Sequence, residues 1–220
     1  MTSKLPSLPL AACVLAVGLG LSATAALANA KIVIGMQQEP TSLDPTADAT
    51  ASINGMLAHN VYEALTTVNQ SGDVMPQLAE SWTVSEDGLT YVFKLVEGVR
   101  FHDGTTFDAD DVVFSFARAM AEDSVNPTKG HFAAIDTVTK IDDHTVEITL
   151  KRKDAFFLFN MAQGNVSIVG PESADNNATN PIGTGPFRFQ GWTRGDRLTL
   201  ARNPEHRIAD SVALETVEFR

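Results

Sequence analysis

The apolar positions after residue 30 follow first a strand pattern and then a helix pattern. Residues 31–35 form a short β-branched run, which predicts a strand that is buried on both faces and central in a sheet. Residues 37–45 contain two prolines and show no periodicity, so we predict a loop that leaves the end of this strand. Beyond Ser52, which we predict as the N-cap of a helix, apolar residues recur at helical spacing. These residues are Ile53, Met56, Leu57, Val61, Ala64 and Leu65.

Turn residues between short apolar stretches predict a series of strands in the middle and at the end of the chain. Asp87-Gly88 supplies the positive φ angles of a tight hairpin turn, and Asp142-Asp143 marks a second turn. The predicted segments are strands 82–84 and 91–95, a short strand 99–101, a hairpin over 135–150, strands 187–192 and 198–202, and a last strand at 217–220.

Two further helices are predicted from their capping residues. Asp108 precedes a stretch with apolar residues on one side, and Asp110 and Asp111 fall in its first turn, where the helix dipole favours anions. Asp154 is predicted to cap a short helix rich in phenylalanine. Together these elements predict an α/β fold.

The first 30 residues have the pattern of a secretory signal peptide. Lys4 is their only charged residue, an apolar stretch runs from Leu10 to Leu21, and Ala28-Asn29-Ala30 forms an A-x-A cleavage site. An uncleaved anchor is the alternative, but this apolar stretch is well short of the roughly 20 residues that span a bilayer. Cys13, the only cysteine, precedes most of the apolar stretch, so we interpret it as part of the leader rather than as a lipid attachment site.

The charge of the chain excludes one class of partner. Its 16 basic and 27 acidic residues give a net charge of −11, and removal of the leader with Lys4 makes it −12. Such a field repels phosphate backbones and anionic lipids, so nucleic acid is not an expected partner. Cleavage after Ala30 would also leave a mature chain without cysteine, hence without disulfides or thiolate chemistry.

Several motifs that could carry chemistry are explained more simply by structure. Gly183-x-Gly185 lacks the third glycine and the following helix of a dinucleotide loop, so we interpret it as a tight turn into a strand. The aspartates at 108–111 lack the glycine and distal glutamate of a calcium loop. The five histidines show no metal-ligand spacing, and no nucleophile elbow is present. We therefore expect no enzyme, no metal and no cofactor.

The middle of the chain carries a long motif that resembles a known family. The chain is similar to the bacterial extracellular solute-binding proteins of family 5, the peptide- and nickel-type receptors of ABC importers. The matching segments are PTSLDP (40–45), LAESWTVSEDGLTYVFKL (78–95), GVRFHDG (98–104), ADDV (109–112), GTGPF (183–187) and RNP (202–204). His206 departs from the family, which usually has an aromatic residue after Asn-Pro-x.

This resemblance implies a fold and a location. The implied fold is a lobe of the type II periplasmic-binding-protein kind, with a mixed sheet, helices and a small hairpin-rich subdomain over residues 31–220. Family members are more than twice as long and close two lobes over a solute, so we expect a fragment that lacks the second lobe and binds its solute weakly. The implied protein is a periplasmic monomer that delivers its solute to the permease subunits of an importer in the inner membrane.

The resemblance also implies candidate ligand residues. The loop after the first strand faces the cleft between lobes in the family, which gives Gln37, Glu39, Thr41 and Ser42. A physical argument agrees, because ligands of open α/β sheets bind beyond the carboxyl ends of strands. Further candidates are His131 and Phe132.

The identity of the solute stays open at this point. Peptides are the first hypothesis, and a nickel chelate, haem, glutathione or a sugar oligomer are alternatives within the same class. An exported hydrolase and an acidic module that binds other proteins are hypotheses from other classes.

Overall fold

The structure is a computed structural model that describes residues 30–220, so the predicted leader and Cys13 lie outside the described residues. The strands are β1 (Lys31–Ile34), β2 (Thr66–Val68), β3 (Val74–Pro76), β4 (Ala79–Val84), β5 (Thr90–Leu95), β6 (Ile135–Asp142), β7 (Thr145–Leu150), β8 (Phe187–Thr193), β9 (Arg197–Arg202) and β10 (Thr216–Phe219). The helices are α1 (Ala51–Leu57), α2 (Ala109–Met120) and α3 (Phe157–Asn160). Short 3-10 helices cover Lys129–Phe132, Gly164–Val166, Ala174–Asn176 and Ala209–Ser211.

The strands form two four-stranded sheets and one small ribbon. The first sheet has the order β1-β10-β9-β8, in which β1 runs parallel to β10 and the other neighbours are antiparallel. The second sheet has the order β4-β5-β7-β6 and is antiparallel throughout. Strands β2 and β3 pair with each other. The second sheet is the predicted hairpin-rich subdomain.

The first strand occupies the predicted residues, but the predictions that it is central in the sheet and buried on both faces are wrong. Strand β1 lies at one edge of the described sheet, where it pairs only with β10. Ile32 and Val33 remain 40% and 50% exposed. A β-branched run favours an extended backbone through the stiffness of its side chains, and this preference does not determine what packs against the strand.

The predicted helix after Ser52 is shorter than its apolar pattern. Helix α1 begins after Thr50, so Ser52 lies inside it, and it ends at Leu57. His59 then adopts a positive φ of 60°, which no helix accommodates. The carbonyls of Asn60 and Val61 accept hydrogen bonds from the backbone of Phe187 and Gly185, both at 2.9 Å. This pairing folds the segment back onto the first sheet, so Ile53, Met56, Leu57 and Val61 are buried in its core. Leu65 packs in the core of the second sheet.

Most of the predicted hairpins are confirmed. Gly88 has the positive φ, 70°, that the turn between β4 and β5 needs, and Phe93 on β5 is fully buried. The predicted strand at 99–101 is wrong, because its only ladder contact is an isolated bridge between Arg100 and Thr106. The predicted cap at Asp154 is wrong, because the N-cap position of α3 is Phe156. Asp154 lies two positions earlier and accepts a hydrogen bond from the backbone of Phe156 at 2.9 Å.

Helix α2 has the cap that its sequence predicts. The Asp108 carboxylate accepts from the backbone N–H of Asp110 at 2.7 Å, and the Asp111 carboxylate accepts from that of Asp108 at 2.9 Å. This reciprocal arrangement is a capping box. Burial raises the pKa of Asp111 to about 6. The aspartates at 108–111 are therefore explained by helix initiation.

Replacing Asp108 by alanine should cost about 0.5–2 kcal/mol in the free energy of unfolding, the usual price of a lost N-cap. Urea denaturation measures this loss. Asp110→Ala is the matched control, because it keeps the backbone donor of the cap and removes a surface ion pair with Lys140 and one favourable charge near the helix N-terminus. Equal destabilisation by both substitutions would contradict the assignment of Asp108 as the cap.

Candidate functional site

The loop after β1 leaves the first sheet at an edge where two strands end together. Because β1 and β10 are parallel, their carboxyl ends lie side by side. The backbone N–H of Arg220 donates to Ile34 O at 2.9 Å just beyond this point. We call residues 36–50 the first loop. Its position at the carboxyl ends of strands is the place where open α/β sheets bind ligands.

The near end of the first loop is exposed and contacts the turn between β8 and β9. Gln37 and Glu39 are both exposed. Glu39 Oε1 accepts hydrogen bonds from Trp192 Nε1 and from the backbone N–H of Gly195, both at 2.9 Å. Glu39, predicted as a ligand residue, is therefore already engaged by a neighbouring turn.

A pocket of about 180 Å³ lies between the first loop and this turn. Apolar side chains from the loop, α1 and the first sheet line it, namely Met36, Pro40, Met56, Trp192, Leu198 and Phe219. Polar residues at the same pocket include Gln38, Glu39 and Arg197. Apolar walls with a few polar groups are typical of small-molecule sites.

The middle of the first loop presents hydroxyl groups around an ionised carboxylate. Thr41 donates its hydroxyl hydrogen bond to Asp48, and Thr50 donates to the same carboxylate from its backbone at 2.8 Å and its hydroxyl at 2.6 Å. Slight burial opposes ionisation, but these hydrogen bonds outweigh it and hold the pKa of Asp48 below its ordinary value. Ser42 Oγ accepts from the backbone of Asp44 at 3.2 Å.

Buried residues fix the centre of the loop, residues 43–46. Asp44 accepts from the Thr46 backbone at 2.8 Å and pairs with Arg118 of α2, whose Nη2 lies 3.1 Å from Asp44 Oδ2. Tyr62 donates its hydroxyl to Leu43 O at 3.2 Å. The Leu-Asp-Pro segment is therefore scaffold that joins the loop to α2.

Asn165 joins the first loop to two other segments. Its side-chain amide donates to Pro45 O, and its side-chain oxygen accepts from Asn54 at 3.2 Å. Its backbone carbonyl accepts from Asn126 at 2.8 Å. These asparagines could not be predicted from the sequence, because they form no motif and lie up to 111 residues apart. Next to Asn126, Val125 is 70% exposed.

Some polar atoms beside the first loop are buried without a partner in the described part of the chain. Ser52 Oγ and Asn54 Oδ1, both on α1, are two of them. Buried polar groups in native proteins nearly always have a hydrogen-bond partner, which can be a ligand or water.

The structure places His131 and Phe132 on the 3-10 helix Lys129–Phe132, which packs against α2. The ring of Phe132 is 3% exposed and meets Phe116 edge to face at 5.4 Å. Phe132 also lines a cavity of about 210 Å³ together with Thr46 of the first loop. His131 Nδ1 is buried and lacks a hydrogen-bond partner among residues 30–220.

A second polar cluster lies under the segment that follows β9. Glu63 is 2% exposed and is held by Arg207, whose Nη1 lies 2.9 Å from Glu63 Oε2, and by the Thr184 hydroxyl at 2.9 Å. His206 Nε2 lies 3.5 Å from the same oxygen. Burial opposes ionisation of Glu63, but hydrogen bonds from His206 and Arg207 lower its pKa to about 2. This cluster fixes the chain and uses the histidine that departs from the family pattern.

A cavity of about 380 Å³ beside this cluster contains three arginines. Each has an acceptor in the chain. Arg188 pairs with Glu205 at 2.7 Å, Arg207 pairs with Glu63, and Arg100 donates to Gly104 O at 2.9 Å. Carboxylates therefore compensate the charges of Arg188 and Arg207, whereas Arg100 donates to a neutral carbonyl. The first loop, which lies at the carboxyl ends of two strands, is the better candidate for solute binding.

Residues 30–220 lack two further features. None of the helices there combines the length and the apolar composition that a membrane crossing requires. The same residues hold no group of three or more His, Cys, Asp or Glu side chains arranged to bind a metal ion.

Comparison with known proteins decides the family. Residues 73–220 match the bacterial extracellular solute-binding proteins, family 5 Middle. The chain belongs to this family. The resemblance predicted from the sequence motifs is thereby confirmed, and the family consists of solute-binding proteins rather than enzymes.

Members of the solute-binding family align along most of this chain. The Glutathione-binding protein GsiB of Pectobacterium atrosepticum is 33% identical over 192 residues, which are 86% of this chain and 37% of that protein. The Di/tripeptide-binding protein 1 of Pseudomonas aeruginosa is 32% identical over 91% of this chain and 43% of its own length. The chain thus spans about two fifths of these relatives.

Solved structures of periplasmic binding proteins share the fold. The periplasmic binding protein DppA of Helicobacter pylori, in complex with peptide STSA, superposes with a TM-score of 0.78 at 28% identity, over 87% of this chain and 42% of that one. The predicted fold class, a mixed α/β lobe of the type II periplasmic-binding-protein kind, is confirmed.

Proposed function

We propose that this chain is the solute-contacting part of the periplasmic binding component of an ABC importer and that its solute is a short peptide. The observation that carries the proposal is the first loop, which presents hydroxyl and amide groups at the carboxyl ends of two parallel strands. The predicted leader supports export to the periplasm. The names of the relatives, which bind di- and tripeptides or glutathione, support the solute class.

The chemistry of the loop suits a peptide. A peptide backbone offers N–H donors and C=O acceptors at short intervals. The Thr41 hydroxyl, whose hydrogen is donated to Asp48, can accept from an N–H, and the Ser42 hydroxyl can donate to a C=O. Gln37 is exposed and adds an amide. The ionised Asp48 gives the loop a negative potential that favours the amino terminus of a peptide. Glutathione is the second candidate, because one relative binds it and it is itself a peptide.

A thermal-shift screen tests the proposal, because a ligand that binds only the folded state raises the melting temperature. The chain is heated with a di- and tripeptide pool, with glutathione, and separately with a nickel–histidine chelate, haem and oligosaccharides. We expect the peptide pool or glutathione to give the largest rise. A rise with haem, the nickel chelate or a sugar alone would replace the proposed solute, and a hydrolysed peptide would contradict a binding protein.

A further inference from the structure

The turn between β8 and β9 holds the first loop through a single carboxylate oxygen. Trp192 Nε1 and the backbone N–H of Gly195 converge on Glu39 Oε1, each at 2.9 Å. The two donors are 153 and 156 residues away along the chain. Gly195 has a φ of 73°, a backbone conformation that glycine adopts without strain. Sheet pairing of β8 and β9 thus brings both donors to the loop.

Arg194 adds a second contact from the same turn. Its guanidinium carbon lies 4.0 Å from the centre of the Trp192 ring, within the range of a cation–π interaction. Its Nη2 lies 3.4 Å from Thr41 O, two residues beyond Glu39. The turn therefore contacts the side chain of Glu39 and the backbone of Thr41 in the loop.

These contacts add to the buried ion pair at the centre of the loop. Asp44 and Arg118 fix the centre of the loop, and Glu39 fixes the part next to β1. The residues that we propose for solute contact, Gln37 and Thr41, lie on either side of Glu39. Because these residues are already held in place, less conformational entropy is lost when the solute binds.

We propose that Glu39 is a positioning residue, whose carboxylate holds the first loop on the β8–β9 turn and does not contact the solute. This inference rests on the proposed function. A positioning role for Glu39 differs from direct contact with the solute in one chemical respect. Both donors are N–H groups, so an amide oxygen can replace the carboxylate oxygen, whereas a salt bridge to the amino group of a peptide needs the negative charge.

Four variants separate the two roles. Glu39→Gln keeps an acceptor and loses the charge, and Glu39→Ala loses both. Trp192→Phe removes one donor and keeps a ring for Arg194. Glu80→Ala is the matched control, an exposed glutamate on β4 of the second sheet. NMR titration with a di- and tripeptide pool gives the affinities, and hydrogen exchange without peptide gives the protection of the Gly195 amide and the Trp192 indole.

We expect Glu39→Gln and Glu80→Ala to bind the pool within about threefold of the wild type. Glu39→Ala should bind about tenfold more weakly, as loss of about 1.4 kcal/mol would produce. The affinity of Trp192→Phe should lie between those of Glu39→Gln and Glu39→Ala. Protection of the Gly195 amide should drop in Glu39→Ala and persist in Glu39→Gln.

Two results would overturn the inference. The first is an equal loss of affinity in Glu39→Gln and Glu39→Ala with the Gly195 amide still protected in Glu39→Gln, since the charge would then meet the solute. The second is an unprotected Gly195 amide in the wild type. If the wild type binds no peptide, the proposed function fails, and the exchange rates alone then decide whether Glu39 holds the loop.

Discussion

Replacing Gly183 by alanine should destabilise the chain by about 3 kcal/mol, the upper part of the range for overpacked sites. A Cβ at this position would lie 2.0 Å from Val61 O and 2.8 Å from its carbonyl carbon. The obstacle is backbone, so no side-chain rotation relieves it. Gly185 is in the same situation, with a Cβ 2.3 Å from Asn60 O. The two glycines therefore allow the chain before β8 to approach the segment after α1.

Denaturant unfolding at neutral pH measures this effect. Gly191→Ala is the matched control, because it lies on β8 and a Cβ there meets nothing within 4 Å. We expect the control to change stability by less than about 1 kcal/mol. If Gly183→Ala were as stable as the control, the close approach of the two backbones would be disproved.

Replacing Arg207 by alanine should cost about 3–5 kcal/mol, because it leaves a buried carboxylate without its paired cation. Glu63 is 2% exposed, and the Arg207 side chain is 29% exposed. Lys140→Ala is the control, since Lys140 pairs only with exposed aspartates and such pairs contribute about 0–1 kcal/mol. Urea unfolding compares the two variants. A similar small loss in both would show that Glu63 does not depend on Arg207.

The same pair predicts a pH dependence. The folded chain lowers the pKa of Glu63 from 4.5 to about 2, so the ionised form stabilises the fold. This stability is present above pH 4.5 and is lost as the pH falls toward 2. In Arg207→Ala the contribution of Glu63 to acid sensitivity between these values should shrink. An unchanged acid profile would contradict the proposed origin of the shift.

The local features of the fold could be predicted from the sequence because short-range chemistry determines them. The Asp87-Gly88 turn and the Asp108 cap depend on residues within four positions of each other. The exposure of β1 and the early end of α1 could not be predicted. Both follow from pairing with distant segments, β10 in one case and the chain before β8 in the other.

The candidate site shows the same division. The first loop was predicted from its prolines and its position after a strand. Its partners were not, because Trp192, Asn165 and Arg118 reach it from 74 to 153 residues away. Such contacts arise when separate elements pack together, so they cannot be predicted from the spacing of residues along the sequence.

NMR mapping of the peptide-binding surface tests the solute site most directly, since it detects even weak binding. The chain is titrated with a di- and tripeptide pool to millimolar concentration, and the backbone amide shifts are followed. We expect the largest changes in residues 37–50 and around Asn54 and Asn165. Changes centred on the cavity of Arg188 and Arg207, or no change at any concentration, would contradict the first loop as the solute site.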